Sequence, residues 1–460
     1  MNPHPWSRCA GSLFLVILAM LMVTTNASAE WNEKVLYSFQ GGSDGYTPAG
    51  GVVFDKAGNL YGANSWGGSG GCPSPGCGTV FELSPPTQTG GSWTETTIYA
   101  FQGVLGSVKD GLTPESGVII DQEGNLYGTT SLGGDGPCIL LGSATGCGAV
   151  YELSPPKQKG GQWMETILYS FQGGTDGYFP MGDLVFDKQG NLYGATWFGG
   201  GKGNTCNQYY GGNCGTVFKL SPPKEKDGKW TEKILHSFAG GTDGANPNGY
   251  SVLDRSGAVY GLTFSGGGQS CHCYGTAFKL KPSTKGGAWS EELLHSFDRT
   301  NSDGGNPMAG VILDLKGNLY GTTLNGGPGG GGIAFQISAP SSKSGHWKEA
   351  ILYGFSKNGK GVNPEAPLLF DSKGDLYGTA NDSGEAYYGT VFRLSPREKN
   401  EAWTSSLLYG FVYGFAGAPD GAQPAAGLVF DAAGNLYSTT TQGGTGACSG
   451  GCGTVFEVSR

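Results

Sequence analysis

One unit, repeated seven times, constrains this chain more than any other feature. Tryptophan opens the unit at Trp31, Trp93, Trp163, Trp230, Trp289, Trp347 and Trp403, at intervals of 56–70 residues. Each tryptophan leads into a strand-like run such as WNEKVLYSF or WTEKILHSF, then a Gly/Asp/Pro turn region such as GGTDGYFP. A second apolar run ends in aspartate, at Asp55, Asp121, Asp187, Asp254, Asp314, Asp371 and Asp431. A tight turn, as in DKAGNLYGA, starts the third run, and a variable glycine-rich loop precedes the fourth, GTVFELSPP or a close variant. A period of this length has to be explained before any isolated motif.

Strands joined by tight turns pair as antiparallel neighbours. In the D-x-x-G-N turn the aspartate caps backbone amides and the glycine supplies the positive φ of the reversal. A four-stranded meander cannot bury both faces alone, whereas seven arranged radially can. The expected fold is therefore all-β: a seven-bladed β-propeller with four antiparallel strands per blade. Helix is not expected, since no sustained 3.6-residue apolar period occurs after the leader. The chain begins with a tryptophan strand and stops just after GTVFEVSR, so residues 31–39 should complete the last blade, whose inner three strands come from residues 424–458. That closure pairs an edge that would otherwise lie open. Small residues at the start of the inner strand, Ala49-Gly50-Gly51 and Ala425-Ala426-Gly427, suit seven strands converging on one axis.

Residues 1–29 read as a signal peptide: Arg8, the apolar run GSLFLVILAMLMV, and a small-residue cleavage site at Ala27-Ser28-Ala29. Residues 30–460 form a single propeller domain. Losing Arg8 leaves 27 basic against 37 acidic residues, a net charge of about −10. That balance disfavours nucleic acid and anionic lipid. No second apolar segment follows, so membrane insertion is not expected and the product should be secreted, periplasmic or cell-surface.

Ten cysteines follow the leader, as Cys72/Cys77, Cys138/Cys147, Cys206/Cys214, Cys271/Cys273 and Cys448/Cys452. Every pair lies in the loop between the third and fourth runs, and units 5 and 6 lack both members. Joint presence or absence points to local disulfides, which export would permit. The alternative is metal, but each loop offers two thiols where zinc knuckles usually need four ligands. Cys271-His272-Cys273 is the pair with a nearby imidazole, and a ring this small would be strained.

The recurrent FDxxGNLYGTT…GG…GTVFELSP closely resembles the tandem GloVer (Gloeobacter–Verrucomicrobia) repeat across essentially the whole mature chain. The resemblance implies a bacterial protein at the surface or outside the cell. It carries no activity and no catalytic residues.

Candidate chemistry sits on two sets of loops expected to share one face. Six units carry Asp-Gly in the loop before the inner strand (Asp44, Asp110, Asp176, Asp243, Asp303, Asp420), and Lys360-Gly361 breaks the series. Such a ring could hold calcium, but repetition favours plain turn chemistry, and no cofactor is expected. Departures from the repeat say more. Glu115, Asp183, Tyr250 and Glu365 occur near the start of the inner strand, and the first three are weak acid/base candidates. Trp66, Trp197, Phe198 and Phe264 precede the loop glycines and suit sugar rings or peptide side chains. Tyr209-Tyr210 and Tyr387-Tyr388 could extend that surface. His236 and His295 occupy the tyrosine slot of LYSF and should be packed between blades. No GxSxG, HExxH or phosphate-cradling motif appears. The expectation is a monomeric, non-catalytic scaffold binding an extracellular glycan or protein; the alternative is a polysaccharide lyase or hydrolase.

Overall fold

The computed structural model describes residues 30–460 apart from short stretches at 70–71, 73, 89, 105–108, 141–142, 159, 202–213, 226–227, 249–250, 269–273, 284–286, 343–344, 357–360, 383–386, 397–402 and 413–419. Trp31–Arg460 form one compact unit. Seven small antiparallel sheets make a seven-bladed β-propeller. In the first blade the second strand Leu60–Trp66 pairs with Thr79–Ser84, which pairs with the outer strand Thr94–Ala100. The last blade is built from both ends of the chain. Asn32–Ser38 lies antiparallel to Thr454–Ser459, from Asn32↔Ser459 to Ser38↔Thr454, as the repeat phase requires.

The inner strand is less regular than its sequence suggests. In blade 1 it splits into Tyr46–Pro48 and Val53–Phe54, whereas in blade 3 it runs unbroken as Tyr178–Phe186. Each blade starts this strand with a non-glycine residue at positive φ followed by proline: Thr47, Thr113, Phe179, Asn246, Asn306, Asn363 and Gln423, at 55–62°. Such a conformation costs roughly 1–3 kcal/mol and persists where its surroundings dictate it. Here the amide is held by the preceding blade. Thr47 N–H donates to Cys452 O, Thr113 to Cys77 O, Phe179 to Cys147 O and Asn246 to Cys214 O.

Two aromatic ladders join neighbouring blades. The phenylalanine of each LYSF-type run meets the ring of the next blade's GTVFEL run, as in Phe39–Phe81 at 5.1 Å and Phe171–Phe218 at 5.1 Å. The glycine of LYG makes room for that ring: a Cβ on Gly62 would lie 2.5 Å from Phe81 Cζ. The repeat tryptophan meets the LYG tyrosine of the preceding blade, as in Trp163–Tyr61 at 5.9 Å and Trp347–Tyr260 at 6.4 Å. Edge-to-face pairs of this kind add about 0.5–1.5 kcal/mol each beyond the area they bury.

Candidate functional site

The DxxGNLY turns are structural on every blade. Asp187 Oδ1 accepts the amides of Gln189 and Asn191, while Oδ2 accepts Asn191 Nδ2 and Tyr193 OH at 2.7 and 3.1 Å. Burial pushes this carboxyl up, but the four donors outweigh burial and hold it below the usual range. A cavity of about 1000 Å³ opens on this turn-bearing side, walled by Phe54, Ile120, Tyr127 and Trp230 with Lys56 and Lys188. Most of these positions hold the same residue types in other units, so the cavity is a gap between repeats rather than a specialised site.

The Asp-Gly loops and the cysteine loops share the opposite side, as expected. A Cβ on Gly41 would lie 3.1 Å from Cys448 Sγ, and one on Gly173 3.2 Å from Cys138 Sγ. Disulfides Cys72–Cys77, Cys138–Cys147 and Cys448–Cys452 are present, with Cα separations of 5.8, 5.0 and 5.1 Å. Cys214 is also disulfide-bonded; its expected partner Cys206, and Cys271 and Cys273, lie outside the described residues. Counting from the GTVFEL glycine puts Tyr274, not Cys273, in the slot of the second cysteine. Arg299 stands where other loops have Gly41 or Gly103 and lies 5.3 Å from the Tyr274 ring centroid. In this blade a cation–π stack occupies the place where, in other cysteine loops, the second cysteine rests on glycine.

The Asp-Gly carboxylates are engaged locally. Asp44 accepts Tyr37 OH and the Gln40 amide, and Asp110 accepts Tyr99 OH and the amides of Gln102 and Gly111. His236 and His295 take the tyrosine's place. His236 Nε2 lies 3.0 Å from Asp243 Oδ1, and His295 Nε2 lies 3.1 Å from Asp303 Oδ2. Each imidazole packs edge-on against the buried Phe238 or Phe297, at 4.7 and 4.8 Å. Both therefore serve the same structural role as tyrosine.

The inner-strand departures fall in two layers. Asp183 stands four residues before its turn aspartate, in the slot of Gly51, Gly117 and Gly427. The blades approach closely here: a Cβ on Gly51 would lie 2.9 Å from Gly427 O, and one on Gly117 3.1 Å from Asp183 Oδ1. Asp183 Oδ1 accepts the Gly117 amide across the blade boundary at 2.7 Å. Burial pushes its carboxyl up to about 6, against the pull of that amide. Glu115 stands six residues before its aspartate, and burial pushes its carboxyl up to about 7. Glu365 shares that slot in blade 6 and accepts Asn381 Nδ2 at 2.8 Å. Tyr250 lies outside the described residues, as do Tyr209 and Tyr210. Glu115 and Asp183 thus belong to different layers, a distinction that counting back from Asp121 and Asp187 makes visible in the sequence.

The four aromatics also divide. Trp197 and Phe264 occupy one slot on adjacent blades, half-buried, with ring centroids 5.5 Å apart and planes tilted by 41°. Asn246 Nδ2 and Asn306 Nδ2, each from the next blade, bind the Trp197 and Phe264 carbonyls at 3.0 and 3.1 Å and fix both backbones. Phe198 sits one residue on and stacks against Tyr178 of its own blade at 5.2 Å. Trp66 occupies the Phe198 slot in blade 1, opposite Tyr46. A two-ring shelf therefore spans blades 3 and 4, and Trp66 stands apart from it.

Known structures resemble this chain in fold alone. A fungal alcohol oxidase of the AA5 family, solved with copper, is 14% identical over 93% of this chain and 76% of its own, with a TM-score of 0.50. A putative 6-phosphogluconolactonase from Bacteroides uniformis is 13% identical over 78% and 84%, with a TM-score of 0.44. A protein of unknown function from Dyadobacter fermentans is 12% identical over 82% and 99%, with a TM-score of 0.42. No curated protein matches the sequence. The model of the Gloeobacter/Verrucomicrobia repeat matches residues 22–206, 137–346 and 202–414, and the chain belongs to that repeat family.

Proposed function

We propose that this protein is an exported, non-catalytic binding scaffold that holds a glycan on its loop-bearing face. The Trp197–Phe264 shelf carries the reading: two half-exposed rings, on rigid strands of adjacent blades, with their backbones fixed by neighbouring asparagines. Sugar rings present apolar faces that stack on such surfaces, and polar groups around them supply orientation. Disulfides fit an oxidising compartment, and among the described residues no helix is long and apolar enough to cross a membrane.

Glu115 favours a second reading, a polysaccharide lyase or hydrolase. A carboxyl raised to about 7 is suited to proton transfer near neutral pH. A glycan array, combined with reducing-sugar and unsaturated-product assays on the same substrates, separates the two. Binding that falls at least tenfold in Trp197→Ala and Phe264→Ala, without product, supports the scaffold. Turnover lost in Glu115→Gln overturns it. Retention of a protein but no glycan would transfer the same shelf to a peptide partner.

A further inference from the structure

At six of the seven blade interfaces two partly or fully buried carboxyl groups act on each other electrostatically. The first is the glutamate two residues after the repeat tryptophan: Glu33, Glu95, Glu165, Glu232, Glu291 or Glu349. The second is the Asp-Gly aspartate of the preceding loop, respectively Asp420, Asp44, Asp110, Asp176, Asp243 or Asp303. The carboxyl oxygens of Asp243 and Glu291 and a ring nitrogen of His236 lie within 4.8 Å of one another. Among the described residues no donor reaches the buried Oε1 of Glu33, Glu165, Glu232, Glu291 or Glu349.

The seventh interface shows that the two acids belong together. Its outer strand has Ser405 where the others have glutamate, and its loop has Lys360-Gly361 where the others have Asp-Gly. Both members are absent at once. Two desolvated carboxylates in contact cannot both remain charged without something positive between them. A metal ion is a poor fit, because the third neighbour is a neutral tyrosine hydroxyl at four interfaces: Tyr409, Tyr37, Tyr99 and Tyr169. His236 and His295 stand in the same place with the same hydrogen-bonding role.

We propose that each of these six interfaces is latched by one proton shared between the outer-strand glutamate and the loop aspartate, making closure of the ring tight in acid and weaker in alkali. Burial, reinforced by the facing aspartate, pushes Glu33, Glu165 and Glu232 up to about 8. Burial pushes Glu95 up to about 7, with Thr97 opposing and Asp44 reinforcing. Glu349 also rises to about 7, from burial and Asp303, with His295 opposing and Asp298 adding to the rise. Glu291 is raised by burial and by Asp243. The remaining titratable neighbours are the four tyrosines, His236, and Tyr151 beside Glu165. Among the described residues none of these neighbours is a lysine or arginine.

The folded-state values lie above the unfolded one, so the folded chain binds more protons through this range. The stabilisation is complete below about pH 4.5 and is lost as pH rises through 7 to 8, with about four protons released on unfolding at pH 7.

The test is thermal unfolding of the mature protein from pH 5 to 9, with and without EDTA, beside a variant carrying Glu33→Gln, Glu165→Gln, Glu232→Gln, Glu291→Gln and Glu349→Gln. Glutamine keeps a donor toward the aspartate without titrating. The wild-type midpoint should fall steadily with pH, and the variant should lose most of that slope while matching the wild type at pH 5. Equal slopes, or a wild-type midpoint that drops on adding EDTA, overturn the proposal. Infrared spectra of the wild type at pH 7 keep the question decidable if the variant does not fold. A protonated-carboxyl band that vanishes by pH 9 agrees with the latch, and its absence at pH 7 refutes it.

Discussion

Tyr151→Phe should stabilise this protein. Six blades place phenylalanine at the centre of the GTVFEL run (Phe81, Phe218, Phe278, Phe335, Phe392 and Phe456), and blade 2 alone places tyrosine there. Tyr151 is fully buried, and its hydroxyl has no hydrogen-bond partner among the described residues. The hydroxyl lies over Gly128, as Phe81 Cζ lies over Gly62, and burial raises its pKa, with Glu165 and Asp183 adding to the rise. A buried hydroxyl without a partner costs about 1–3 kcal/mol, and removing it leaves the ring contact with Phe101 at 5.1 Å unchanged. An unfolding entropy of roughly 2 cal/mol/K per residue converts that into a rise of about 1–3 °C in Tm for a chain of this length. Differential scanning fluorimetry together with denaturant midpoints would measure it. A Tm that falls by more than about 1 °C would mean that the hydroxyl is satisfied, and the reasoning from the repeat would fail.

Three further outcomes are expected. Cys448→Ser with Cys452→Ser should cost about 2 kcal/mol by freeing a small loop, and should speed exchange of the Thr47 amide that Cys452 O holds. Asp187→Asn removes one acceptor from a four-donor turn and should cost about 1–2 kcal/mol in chemical denaturation at neutral pH. Asp187, Asp254, Asp314 and Asp431 are held below their ordinary range by donors that outweigh burial, so their stabilisation is lost as pH falls below about 4. Combined with the carboxyl pairs, this places maximal stability at mildly acidic pH, which a Tm profile from pH 3 to 9 would reveal.

Period and closure were legible in the sequence because both depend on residues that pack identically seven times. The tryptophans and the aspartate turns each solve a local problem, so each recurs at a fixed place in the unit. The break in the inner strand was harder to read. So was the positive-φ residue before proline, a backbone state that threonine, asparagine, glutamine and phenylalanine all adopt here and that composition does not advertise. The division of the four aromatics is hard to read from the repeat because Trp66 and Phe198 lie one residue beyond Trp197 and Phe264, and a shift of one residue sends a strand side chain to the other face. The glutamate–aspartate pairs were missed because their members come from different units. Ser405 beside Lys360-Gly361 was the available signal, since two substitutions at distant positions in one repeat mark a contact.

Hydrogen–deuterium exchange of the Asn32–Ser38 amides in the native protein tests the closed ring most directly. Paired with Thr454–Ser459, they should exchange as slowly as an internal outer strand such as Thr231–Ser237. Exchange at the speed of a frayed terminus would mean that the first strand does not complete the seventh blade, and a continuous loop-bearing face would not exist.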